Sequence, residues 1–93
     1  MSEQVIEKTI EKEDIGNDKA NSHLLILFND EFNTFDFVIK SLMEVCRLEP
    51  IQAEQCTHLV HYKGKCDVKK GNYTTLRAMK EALIERGLTA EIN

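Results

Sequence analysis

The chain has 93 residues, a hydrophobic content of 42% and a formal net charge of −4. These values fit one small globular domain and lack the excess of basic residues typical of general nucleic-acid-binding proteins. No apolar run is long enough for a transmembrane helix, and the N-terminal residues do not form the apolar core of a signal peptide. The three cysteines match no common zinc-ligand spacing and favour a reducing compartment. We therefore expect a cytoplasmic protein that needs no metal or other cofactor and binds neither nucleic acid nor a membrane.

The first 22 residues differ in composition from the rest of the chain. They carry six acidic and three basic side chains, and their three isoleucines are too few to build a core. We predict that residues 1–22 are a mobile N-terminal extension and that the folded domain spans residues 23–93.

The first half of the domain is predicted to be a strand, a turn and a helix. Residues 23–28 are a short, continuous apolar run, which is typical of a buried strand. Residues 29–33 are rich in Asn and acidic side chains and predict a turn. Asn33 or Thr34 is expected to cap a helix over residues 35–46, where apolar side chains recur at helical spacing.

A second helix and a second strand follow. Pro50 interrupts the first helix and fits the first position of another, which is predicted to reach about His61. Gly64 marks a turn. Residues 65–70 alternate weakly and predict a short strand with Cys66 and Val68 facing the core.

The last part of the chain is predicted to be a helix and a closing strand. After a loop at residues 71–72, Thr74 or Thr75 is expected to cap a third helix. Gly87 is expected to end that helix, and residues 88–92 alternate loosely as a strand. The apolar face of the helix is formed by Leu76, Met79, Leu83 and Ile84.

The order of the predicted elements is β-α-α-β-α-β. Such an order indicates an α+β fold in which three helices pack on one side of a small three-stranded antiparallel sheet.

Two separate stretches carry hydrogen-bond acceptors next to apolar residues. Asn29, Asp30 and Glu31 lie in the turn before the first helix, and His61 follows Val60 at the end of the second. An amide oxygen, carboxylates and a neutral imidazole nitrogen all accept hydrogen bonds. Acceptors beside an apolar hollow suit an ammonium group carried next to a hydrophobic side chain, as at a peptide N-terminus.

Both stretches also have simpler interpretations. Residues 29–31, taken alone, are more typical of a turn with no ligand. His58 and His61 share one helix face and could form a zinc pair, although no adjacent Glu completes an H-E-x-x-H motif. Among the clustered phenylalanines, Phe37 is expected to pack inward, and Phe35 is the better candidate for a pocket.

Three segments in this order resemble the ClpS family of Clp protease adaptors. They are Asn-Asp-Glu at 29–31, Phe-Val at 37–38 and Val-His-Tyr-Lys-Gly-Lys at 60–65, and the resemblance extends over roughly residues 24–92. It implies a non-enzymatic protein, expected to be a monomer when free. The family binds N-degrons, which are proteins with a destabilising first residue such as Phe, Tyr, Trp or Leu. It delivers them to a Clp-type AAA+ unfoldase by docking on the N-terminal domain of that unfoldase, with the mobile extension taking part in the transfer.

The resemblance also implies roles for individual residues. Asn29, Glu31 and His61 correspond to the residues that hold the α-amino group of the substrate, and Asp30 to the acid near its first peptide bond. Lys80 corresponds to a residue of the unfoldase-docking face. The pocket for the first side chain is expected to be lined by Phe35, Val38, Thr57 and Val60.

The chain departs from the family pattern at several positions. Glu31 replaces a more usual Asp and reaches one methylene further, while Phe35 and Thr57 stand where Met is common. The preference among first residues, β-branched ones included, is therefore open. Thr75 replaces an acid common at the docking face, and the loop at residues 69–72 is one residue longer than usual. Two alternatives also stay open: an interaction module resembling the ribosomal stalk C-terminal domain, and a small zinc hydrolase that uses His58 and His61.

Overall fold

The computed structural model describes residues 22–93, so nearly all of the predicted mobile extension lies outside the described residues. Three strands and three helices follow one another in the order β-α-α-β-α-β in this part of the chain, which confirms the predicted α+β class and the predicted element order. They are β1 (His23–Phe28), α1 (Phe35–Cys46), α2 (Pro50–Lys63), β2 (Lys65–Gly71), α3 (Tyr73–Glu85) and β3 (Thr89–Ile92).

The sheet has β1 in its centre, with β2 and β3 antiparallel on either side. The continuous apolar sequence of β1 follows from burial, because successive side chains point to opposite faces of the sheet and Leu25, Ile26 and Leu27 are all buried. Leu25 and Leu27 are fully buried and belong to the cluster that joins the sheet to the helices. The C-terminal end of β1 leads directly into the turn at residues 29–33.

A bulge interrupts the pairing of β1 with β2. Leu25 lies opposite Lys69, but Ile26 lies opposite Asp67, so Val68 has no direct partner on β1. Cys66 is buried as predicted, and Val68 is half-buried against the core. The bulge places Lys69 on the same face as Leu25, where its Nζ donates to the Cys46 carbonyl at 3.3 Å.

The helices begin and end at residues with clear local roles. Thr34 caps α1, because its Oγ1 accepts a hydrogen bond from the Phe37 backbone at 3.1 Å; this settles the choice between Asn33 and Thr34. Pro50 is at the start of α2 as predicted, and this helix extends two residues beyond His61 to Lys63.

Three predictions at or next to α3 are wrong. The cap is Asn72, whose Oδ1 accepts from the Thr75 backbone at 2.8 Å, and neither Thr74 nor Thr75 takes this role. Gly71 belongs to β2 and not to a loop, so the helix begins earlier than predicted. Ile84 is 47% exposed and not part of the buried face, because the C-terminal turn of α3 covers the core through Leu83 alone.

Gly87 ends α3 as predicted. Its φ is +86°, and its N–H and that of Leu88 donate back to Ile84 and Leu83, which is the Schellman arrangement. Within residues 22–93, no helix combines the length and apolar character that crossing a membrane requires.

Candidate functional site

A cavity of about 350 Å³ opens at the C-terminal end of β1, between the start of α1 and the last turns of α2. All eight residues that were predicted to hold the substrate line this cavity. Four further lining residues were not predicted. The complete lining is Leu27, Phe28, Asn29, Asp30, Glu31, Asn33, Phe35, Val38, Thr57, Val60, His61 and Leu88.

Backbone contacts bring the two predicted stretches together. Gly64 ends α2 with φ +94°, and its N–H donates to the Val60 carbonyl at 2.9 Å. The carbonyl of Gly64 accepts from the Asn29 N–H, also at 2.9 Å. The turn after β1 is therefore tied to the end of α2, and His61 and Asn29 border the same cavity.

Asp30 holds the turn in shape. Its Oδ1 accepts from the backbone N–H groups of Phe32 and Asn33, both at 2.8 Å, and its Oδ2 accepts from Asn33 Nδ2 at 3.0 Å. Asn33 Nδ2 also donates to the Gly87 carbonyl at 2.9 Å, which connects the turn to the end of α3. The carboxylate of Asp30 thus stabilises the turn, the role that the sequence left open as the simpler interpretation of residues 29–31.

These hydrogen bonds also act on the pKa of Asp30. Partial burial raises the pKa, but the side-chain hydrogen bond from Asn33 and the backbone bonds from Asn33 and Phe32 outweigh it. The pKa is therefore held below its usual value, and Asp30 is a negatively charged part of the cavity lining near neutral pH.

The other acceptors at the cavity are available to a ligand. Asn29, Glu31 and His61 are exposed. In the part of the chain from residue 22 onward, none of these three side chains makes a hydrogen bond or an ion pair. One amide, one carboxylate and one imidazole thus border the opening with free lone pairs.

The interior of the cavity is lined by closely packed, mostly apolar side chains. Val38, Thr57 and Val60 are each less than 10% exposed. The hydroxyl of Thr57 donates to the Ala53 carbonyl at 2.7 Å, so its one donor is used within α2. The cavity therefore combines an apolar interior with an opening rich in acceptors, which complements a hydrophobic group next to a cation.

Phe35 forms a wall between two histidines. Its ring centroid lies 4.7 Å from that of His58 and 6.0 Å from that of His61, both in edge-to-face geometry. His58 does not line the cavity. Among residues 22–93 no group of three or more His, Cys, Asp or Glu is arranged to hold a metal ion, so the alternative of a His58–His61 zinc pair has no third ligand there.

Lys80 lies away from the cavity, on α3. Its Nζ forms an ion pair with Glu91 of β3 at 3.6 Å, and both side chains are accessible. Its role in docking stays a prediction.

The family model described as "ATP-dependent Clp protease adaptor protein ClpS" matches residues 18–91. The chain belongs to the ClpS family. ClpS of Acetivibrio thermocellus is 37% identical over 82 residues, which cover 86% of this chain and 82% of that protein. ClpS of Thermosynechococcus vestitus is 33% identical over 69 residues, or 73% of each chain. Because ClpS is an adaptor family and not a catalytic one, membership favours an adaptor over the zinc hydrolase.

Two further similarities extend beyond these adaptors. Mouse E3 ubiquitin-protein ligase UBR1 is 34% identical over 64 residues, which are 69% of this chain but only 4% of the ligase. The solved structure of Agrobacterium tumefaciens ClpS2 bound to L-phenylalaninamide matches with a TM-score of 0.72 and 20% identity. It covers 80% of this chain and 96% of that chain, and shows that the fold is shared.

Proposed function

We propose that this ClpS-family chain binds proteins with a free α-amino group and a bulky hydrophobic first side chain, and delivers them to a Clp-type AAA+ unfoldase. The observation that carries the proposal is the cavity, in which unpartnered acceptors border an apolar interior. The ligand of the Agrobacterium neighbour, L-phenylalaninamide, has the same two features: an α-amino group and an apolar side chain.

The roles of the residues follow from their chemistry. An α-ammonium has three N–H donors, and Asn29, Glu31 and His61 offer three acceptors at one opening. The bond to the Glu31 carboxylate is charge-assisted and therefore stronger than a neutral one. Burial of a Phe or Leu side chain against Val38 and Val60 contributes roughly 1.5–3 kcal/mol.

Calorimetry with one peptide in two forms, free and N-acetylated, tests the proposal. Acetylation removes the charge and two donors and leaves acceptors unpaired, so we expect binding to weaken by roughly 10- to 100-fold, which corresponds to about 1–3 kcal/mol. The peptide begins with Phe or Leu. Equal affinity of both forms would reject the ammonium site.

The pH dependence of binding offers a second check on the same site. A peptide α-amino group loses its proton near pH 8, so affinity should fall as the pH rises from about 7 to 9.

A His61→Ala variant should weaken binding of every peptide, because it removes an acceptor that does not depend on the first side chain. Full affinity of this variant would contradict the role of His61.

Delivery involves a second surface and is tested separately. We propose that Lys80 contributes to docking on the N-terminal domain of the unfoldase, supported by its accessible position on α3. Lys80→Glu should weaken co-sedimentation with that domain and leave peptide affinity unchanged.

We also propose that residues 1–22 take part in the transfer. Unchanged degradation of an N-degron substrate after their deletion, with peptide binding intact, would contradict this.

We further propose that the protein acts in the cytoplasm, supported by its three free cysteines. Cell fractionation is the test, and recovery with secreted proteins would contradict it.

A further inference from the structure

We infer that His58, which does not line the cavity, positions Phe35 and thereby sets which first side chains the cavity accepts. The inference rests on the proposed function and adds to it a residue that controls specificity.

The geometry of the aromatic contacts supports this role. His58 and His61 lie three residues apart on α2, so both imidazoles lie on the same helix face. Both meet the Phe35 ring edge-to-face, with interplanar angles of 68° and 80°. Centroid distances of 4.7 and 6.0 Å fall within the favourable range for aromatic pairs, and the His58 contact is the closer one.

Phe35 depends on such contacts because of its place in the chain. It is the first residue of α1, directly after the Thr34 cap. In the interior of a helix, the preceding turn restricts the side-chain rotamer, and at this position no preceding turn exists. The ring is also only half-buried. Its position against the cavity is therefore set by its tertiary neighbours, of which His58 is the nearest aromatic one.

The other apolar walls are less able to move. Val38, Thr57 and Val60 are buried inside the packed helix pair, and Thr57 is additionally bonded to the α2 backbone. A close-packed interior resists displacement of such residues. Among these four walls Phe35 is thus the one whose position can change, and a shift of its ring widens or narrows the cavity.

The test uses three peptides that differ only in a first residue of Leu, Phe or Trp. Their dissociation constants are measured by fluorescence anisotropy for the full chain and for His58→Ala, His58→Phe and Gln55→Ala. Loss of the imidazole releases the Phe35 ring and widens the cavity, so the Leu peptide should lose the most affinity. We expect His58→Ala to change the Leu-to-Trp ratio of dissociation constants by about two- to tenfold, the range that one aromatic pair supports.

The two remaining variants separate positioning from general effects. His58→Phe keeps an edge-to-face partner and should restore the parental ratio. Gln55 is exposed on the same helix and does not line the cavity, so Gln55→Ala should keep the parental ratio as well.

Several results would overturn the inference. An unchanged ratio in His58→Ala, or an equal loss of affinity for all three peptides, would show that His58 has no role in selectivity. Failure of His58→Phe to restore the ratio would show that ring packing is not the cause. If the parent protein binds none of the peptides, the proposed function itself fails, and this inference fails with it.

Discussion

Asp30 stabilises the turn that forms one side of the cavity. It accepts three hydrogen bonds from Phe32 and Asn33, and Asn33 in turn contacts Gly87. One residue of the predicted binding set therefore also determines the shape of the site. Its structural role was not predictable from the sequence, because a turn with Asn and acidic residues does not show which carboxylate it uses internally.

Replacement of Asp30 by Ala should lower the free energy of unfolding by on the order of 1–2 kcal/mol at pH 7, because three hydrogen bonds are lost. The pKa of Asp30 is held below its usual value, so its contribution is present above about pH 4, the pKa in the unfolded chain. It is lost as the pH falls through the lower pKa of the folded state. Thermal unfolding at pH 7, 5 and 3 should show the difference between parent and variant shrinking at pH 3, and a constant difference would contradict this.

Gly64 connects the two halves of the site through its carbonyl contact with Asn29. Its φ of +94° is unfavourable for any residue with a Cβ, although no atom lies within 4 Å of the position a Cβ would take. Gly64→Ala should therefore lower the free energy of unfolding, measured by chemical denaturation, by roughly 1–2 kcal/mol. It should also weaken peptide binding.

Gly71→Ala is the matched control for this substitution. Gly71 has no positive φ, and an added Cβ would make an ordinary contact with Leu76 at 3.7 Å. This variant should keep the parental affinity for peptides. An effect on binding equal to that of Gly64→Ala would show that backbone conformation at Gly64 is not the cause.

At the level of elements, the sequence was informative wherever the signal is local. Apolar residues at helical spacing predicted α1, and Pro50 and Gly87 mark a helix start and a helix end by their own backbone restrictions. The bulge at Val68 was missed, because the lysine-rich β2 alternates too weakly to fix its register. Register there depends on pairing with β1, which is distant in sequence.

Dependence on long-range strand pairing also explains why the predicted cap of α3 was wrong. Asn72, Thr74 and Thr75 are all residue types that cap helices, and the choice among them depends on where β2 ends. Because Gly71 pairs with His23 across the sheet, β2 reaches further than the local pattern indicates, and the helix follows directly.

Asn72→Ala should therefore reduce stability by about 1 kcal/mol, since it removes the acceptor for the Thr75 N–H. Thr74 is an exposed neighbour, so the stability of Thr74→Ala should stay within about 0.5 kcal/mol of that of the parent. Urea unfolding of both variants checks the assignment. A larger loss for Thr74→Ala would contradict it.

At the scale of the whole molecule, the cavity collects residues from most parts of the fold. Leu27 and Phe28 come from β1, and Leu88 from the link between α3 and β3. The family resemblance pointed to eight of the lining residues, because they lie in two recognisable stretches. Leu88 has no such local signal; it reaches the cavity only because Gly87 ends α3 beside the turn at residues 29–33. The sequence suggested only a metal-binding role for His58, because its contact with Phe35 is visible only in the folded structure.

The three thiols are buried in the core, where Cys56 and Cys66 lie within hydrogen-bond distance of each other, and burial makes all three unreactive. Burial raises the pKa of Cys46 from 9.0 to about 11, with Lys69 opposing part of the effect. Burial also raises the pKa of Cys56 and that of Cys66. Because only the thiolate reacts quickly, the folded protein should react slowly with a disulfide reagent at pH 8.

Their raised pKa values also predict alkaline instability. Stability from the protonated Cys46 thiol is complete below about pH 9, its ordinary pKa, and is lost as the pH rises toward 11. The unfolding midpoint of the parent, measured in reductant, should therefore fall as the pH rises from 8 to 10.5. The midpoint of Cys46→Ala should fall less steeply over the same range. Rapid thiol labelling of the native protein, or a flat profile, would contradict these expectations.

The antiparallel course of β3 has a practical consequence. Asn93 and Leu24 exchange two backbone hydrogen bonds, of 3.3 and 2.8 Å, whereas Phe28, which lines the cavity, is at the other end of β1. Four residues of an antiparallel strand separate these ends by about 14 Å. A sensor surface or fluorescent label attached at position 93 would therefore lie at the far end of β1 from Phe28, so that an immobilised protein can be titrated with peptides.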